Sequence, residues 1–246
     1  MSTRNADQLL STALKNLPEK PADNAKSTEK KRWSELLSEA VAQAVAEELR
    51  NRGLSEALPA PPGENGLSGA ERRMSGGIGA KKVDVTWTTP ESGLILGVSV
   101  KSINFIDGNT KNYQKNLTNR RGDMLFEAVT LHRRFPYAVL GGLFFFDEGA
   151  AHDGTKARSS TFMNAHGRFR LFTNRDDPFG RDEQYERFYF VLHGSNKFKP
   201  AIQIYPAGNP SKQVTLNEVI DELLEVVSDR NPDFYQYSGG CLVKQR

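Results

Sequence analysis

Residues 137–146, YAVLGGLFFF, form a near-continuous apolar run directly after Pro136. A strand with one solvated face alternates apolar and polar residues. A run apolar at nearly every position suits a strand covered on both faces. The run therefore predicts a buried central strand, and it requires helices on either side. The chain supplies them. Trp33, Leu36, Leu37, Ala40, Val41, Ala44, Val45 and Leu49 fall at helical spacing, with Gly53 as a stop. Leu125, Ala128, Val129, His132 and Phe135 mark a second helix over residues 121–135, and residues 216–227 a third, N-capped by Thr215. The fold class expected is α/β (α+β), a central mixed β-sheet flanked by helices.

Residues 81–103 predict a hairpin. Val83, Val85 and Trp87 point one way and Asp84 and Thr86 the other. In the second run Leu94, Leu96, Val98 and Val100 make the apolar face, leaving Ser99 and Lys101 opposite. Pro90-Glu91-Ser92-Gly93 carries turn chemistry. With Glu91-Ser92 as a two-residue loop, Asp84 faces Ser99 directly and Lys101 diagonally. A carboxylate beside an ammonium at the end of a hairpin can hold a divalent cation and activate a water. The competing reading of Asp84 is a strand-edge acid paired with Lys81, Lys82 or Arg73. For Lys101 it is a lysine snorkelling from a strand end.

Val83-Asp84-Val85, a turn, and then Ser99-Val100-Lys101 resemble the core of the PD-(D/E)xK nuclease superfamily, which includes type II restriction endonucleases and Holliday-junction resolvases. The order helix, hairpin, helix, strand over residues 33–147 extends the resemblance. It implies a restriction-endonuclease-like core, with residues 148–246 as a C-terminal strand and helix elaboration. It also implies a Mg²⁺-dependent endonuclease acting on double-stranded DNA, in which Asp84 and the carbonyl of Val100 bind the metal and Lys101 orients the attacking water. The chain departs from the superfamily pattern at Ser99, where the second acid normally stands. Some restriction enzymes of the superfamily take that carboxylate from the following helix, and Glu127 is the first candidate here. Asp123 is its rival on that helix, and Glu39 on the first helix is an accessory candidate with Glu35, Glu47 and Glu48 as competitors. A homodimer is expected, because cutting both strands needs two active sites. Two other readings stand beside this one: a nucleic-acid-binding protein of nuclease-like fold without catalysis, and a repair or resolvase nuclease.

Composition is compatible with these readings. The chain has 246 residues, 37% apolar and 26% charged, enough for one substantial domain. Residues 1–30 are polar and read as an N-terminal arm carrying a short helix, and residues 31–246 as one domain. The net charge of +3 is gathered in clusters such as Lys30-Lys31-Arg32, Lys81-Lys82, Arg120-Arg121 and Arg133-Arg134, which suit a phosphate backbone or an ordinary solvated surface. The Asn-rich residues 104–119 suit phosphate or base-edge hydrogen bonds. No apolar run reaches membrane-spanning length, and the N-terminus lacks a signal-peptide core. Cys241 is the single cysteine, so no internal disulfide forms and a cytoplasmic location is expected. His132, His152, His166 and His193 show no HxH or HExxH spacing and read as structural. Gly76-Gly77-x-Gly79 precedes a strand instead of opening a helix, which excludes dinucleotide and P-loop readings.

Overall fold

The computed structural model describes residues 4–61, 63, 72–75, 80–194 and 201–245. Helices α1 (Ala6–Lys15) and α2 (Ser27–Asn51) precede a two-stranded ribbon of β1 (Arg72–Ser75) and β2 (Ala80–Val83). Strands β3 (Val85–Thr89) and β4 (Gly93–Ile103) form the predicted hairpin. Then come α3 (Leu117–His132), β5 (Val139–Asp147), α4 (Thr161–Phe169), β6 (Arg187–His193), β7 (Ile202–Pro206) and α5 (Leu216–Arg230). Strands β8 (Tyr235–Ser238) and β9 (Cys241–Lys244) make a last small hairpin.

The central sheet is mixed and five-stranded, in the order β3-β4-β5-β6-β7. Its three inner strands are parallel and its two edges antiparallel. The apolar run is the middle strand, β5, and all nine of its residues are buried. Leu143 and Phe145 join a core under α1, α2 and α5, while Phe144 and Phe146 join a second core under α3 and α4. Its two glycines admit neighbours on opposite faces. A Cβ at Gly141 would meet Leu223 of α5 at 3.0 Å, and one at Gly142 would meet the Phe188 ring at 2.5 Å.

Three expectations need correction. Residues 6–17 are not a loose arm: Ala6, Leu10, Leu14 and Leu17 are buried in the core between α2 and α5. Their spacing makes a narrow apolar stripe, diluted by polar neighbours in the sequence. Asp7 then accepts from the backbone N–H groups of Leu216 and Asn217 and so caps the start of α5. Secondly, the hairpin loop has three residues, 90–92, because Thr89 pairs with Gly93. A bulge between Trp87 and Thr88 absorbs the extra residue and restores Val85 opposite Val98, the register a two-residue loop would give. Thirdly, the bulge turns Leu94 to the opposite core from Leu96 and Val98. Val83 likewise leaves Val85 and Trp87, because the chain bends at Asp84.

The glycine run at 76–79 lies outside the described residues. Among the described residues, no helix is long and apolar enough to cross a membrane.

Candidate active site

The bend at Asp84 arises because the chain changes pairing partner there. Up to Val83 it pairs with β1, and from Val85 onward with β4. Strand β4 runs past Val98 to Ile103, so its edge needs other partners beyond the end of β3. Asp84 Oδ2 takes one of them, accepting from the Val100 N–H at 2.6 Å. The N–H and C=O of a strand residue point to the same side. The Val100 carbonyl therefore faces the Asp84 side as well.

Lys101 follows on the strand. Its Nζ lies 3.4 Å from Asp84 Oδ2 and 3.9 Å from Glu127 Oε2. Glu127 reaches this point from α3, which crosses over the same face of the sheet between β4 and β5. The Ser99 hydroxyl donates to Glu127 Oε1. Asp84, Ser99, Lys101 and Glu127 are thus brought together, as anticipated, from segments up to 43 residues apart. Asp123 is on the exposed side of α3, paired with Arg120 at 3.8 Å. Glu39 faces the cleft from α2, exposed and paired with Arg32 at 3.7 Å.

Burial sets the electrostatics. Glu127 is 4% exposed, and desolvation lifts its carboxyl to about 7, with Asp84 adding to the rise and Lys101 opposing it. The folded protein therefore favours the protonated acid. In metal-free solution this contribution to stability is complete below the unfolded value of 4.5 and is lost as pH rises through about 7. Between about pH 5.5 and 8.5 the loss amounts to about 2 kcal/mol. Glu127→Gln is expected to remove that slope, so that in EDTA the variant gains on the parent as pH rises. Urea unfolding of both proteins at the two pH values measures it, and parallel slopes would refute it.

Tyr185 completes the site and was not foreseen. It is 1% exposed, and its hydroxyl lies 3.2 Å from the Met124 carbonyl oxygen and 3.4 Å from Glu127 Oε1. Its place in a loop 58 residues beyond Glu127 gave no local pattern to read.

The site opens into a cleft of about 870 Å³ between α2 and the start of α3. Asp84, Val100 and Lys101 lie on its floor. Lys30 and Lys31 stand on the α2 wall, Lys115 and Arg120 on the other, and Lys82 beside Asp84. Asn104 lines it too, but its amide is engaged internally with Ser34, Ser102 and His193. His132, His166 and His193 are buried away from the two carboxylates: His132 bonds Glu186, His166 sits among Phe162 and Phe190, and His193 bonds Asn104.

A metal ion here would draw on the carboxylates of Asp84 and Glu127 and the Val100 carbonyl. Among the described residues, no group of three or more His, Cys, Asp or Glu side chains converges on one point. Such a donor set fits Mg²⁺, a hard cation that keeps several waters and takes one or two carboxylates. A buried acid whose ionised form lacks solvation is also what a cation would stabilise. No family model matches the chain, and no curated protein or solved structure matches it.

Proposed function

We propose that the protein is a Mg²⁺-dependent endonuclease of double-stranded DNA with a restriction-endonuclease-like core, related in its chemistry to the PD-(D/E)xK nucleases. One observation carries the reading. Two buried carboxylates, Asp84 between β2 and β3 and Glu127 on α3, meet the Lys101 ammonium at 3.4 and 3.9 Å, on the floor of a cleft with cations on both walls. With Glu127 ionised, two carboxylates stand side by side at the floor of the cleft, a donor pair that suits a divalent cation.

The walls supply phosphate-binding charge. Lys30 and Lys31 on one side and Lys115 and Arg120 on the other would hold backbone phosphates without reading sequence. Bound Mg²⁺ supplies Lewis acidity and a lowered pKa for water. Asp84 holds its carboxylate in place through the Val100 N–H, so its oxygens are preorganised. Lys101, 19% exposed, reaches the cleft from this buried floor and is placed to orient an attacking water and to offset charge developing on a phosphate oxygen. Glu127 contributes its charge once ionised, which its raised pKa allows in neutral to alkaline solution. Cutting both strands calls for a homodimer.

The test is incubation of the purified protein with unmethylated phage DNA in Mg²⁺ and in EDTA, beside Asp84→Ala. Discrete fragments that need both Mg²⁺ and Asp84 are expected. Cleavage that persists in Asp84→Ala would overturn the assignment.

A further inference from the structure

The hydroxyl of Tyr185 has no place in the chemistry described so far, yet it is buried beside Glu127. Glu127 Oε1 faces the Ser99 hydroxyl and the Tyr185 hydroxyl, and Oε2 faces Lys101. The tyrosine itself is firmly held. Its N–H donates to the Phe172 carbonyl at 3.0 Å, its carbonyl accepts from the Arg175 N–H at 3.1 Å, and its ring stands edge-on to Phe188 at 5.4 Å. We propose that Tyr185 is a positioning residue that, with Ser99, engages Oε1 of Glu127 and so presents Oε2 to the metal side of the site. The proposal rests on the nuclease reading and deepens it. It gives the serine that stands in place of an acid a role, as one of two hydroxyls that orient an acid borrowed from α3. It also gives the loop between α4 and β6 a function as a brace beneath that helix.

The physical reason is conformational. A glutamate on a helix has three side-chain torsions, and an ionised carboxylate in a buried site swings toward the nearest cation. The Ser99 hydroxyl, joined by that of Tyr185 when its one proton turns from the Met124 carbonyl to the ionised carboxylate, holds the torsions and solvates the charge without neutralising it. Such outer-shell partners of metal ligands are typically worth 10–100-fold in metal affinity or activity.

Tyr185→Phe removes one oxygen and keeps the ring. Calorimetric titration of the protein with Mn²⁺ alone, and cleavage kinetics on a duplex in Mg²⁺, read the effect. The expected result is Mn²⁺ affinity about 10–100-fold weaker, or kcat lowered by that factor at unchanged KM. Tyr189→Phe is the control, because it loses a buried hydroxyl bonded to Glu222 on the other face of the sheet and should change neither readout. Should Tyr185→Phe fail to fold, Ser99→Ala removes the other hydroxyl on the same oxygen and is read in the same way. Wild-type affinity and kcat in the variant overturn the inference and leave the nuclease reading intact. A parent protein that neither binds Mn²⁺ nor cleaves overturns both.

Discussion

Lys101→Met is expected to lower Mg²⁺-dependent cleavage about 10²–10³-fold while the fold persists. Methionine keeps most of the buried stem and removes only the ammonium. That ammonium is within 3.9 Å of both site carboxylates, so its loss has three consequences. A water attacking phosphate loses its orienting donor, and the developing charge on phosphate oxygens loses its nearest cation from the protein. Glu127 also loses the largest of the influences that limit its rise, so its carboxyl moves further up. The pH–rate profile should therefore shift to the alkaline side as the rate falls. Single-turnover cleavage across neutral to alkaline pH, with parent and variant side by side, measures both effects. An unchanged rate would remove Lys101 from the chemistry and leave it a snorkelling strand-end lysine.

The second large effect concerns stability. Glu186 is fully buried next to Tyr185, and each of its oxygens is occupied. Oε1 accepts from Arg175 at 3.1 Å and Arg230 at 2.6 Å, while Oε2 accepts from the Leu140 N–H at 2.6 Å and lies 3.3 Å from His132 Nε2. These partners hold its carboxyl below the usual range against the opposing pull of burial. Glu186→Gln would leave two buried guanidiniums without a counter-charge, and loss of about 3–5 kcal/mol is expected. The surface pair Arg181–Glu183, with Glu183 half-buried, is the contrast, where Glu183→Gln should change stability by less than about 1 kcal/mol. Urea midpoints of the two variants decide the matter, and similar values would mean that the buried network relaxes around the missing charge. The same network fixes His132 at the end of α3, the helix that carries Glu127.

Much of this was readable from local pattern. The nine-residue central strand announces itself by continuous apolarity, and the hairpin by alternation around a Pro-Glu-Ser-Gly turn. Glu127 could be proposed because helical spacing confines a few acids to the helix after the hairpin. Choosing it over Asp123 required knowing which side of that helix meets the sheet. Helix α4 had a legible signature in Phe162, Ala165, His166 and Phe169 after Ser160, which caps it by accepting from the Met163 N–H. The polar stretch around it masks that signature. Helix α1 packs against α2 and also against α5, more than two hundred residues later, and no local pattern reports that second pairing. Tyr185 is the same kind of case, a loop residue whose role exists only through contacts made at long range.

The bulge in the β3–β4 hairpin separates two lengths that a tighter hairpin would lock together. In a regular two-residue hairpin, adding or removing one turn residue flips every side chain beyond it to the other face. Here the three-residue loop and the extra residue at the bulge cancel before Val85, so the geometry from Asp84 to Lys101 is set by the Val85–Val98 pairing. A residue can be gained or lost at the turn without moving Asp84 against Lys101, provided the bulge appears or disappears with it. The spacing between acid and lysine in sequence is thus a poor ruler for recognising relatives, and the pairing register is the better one.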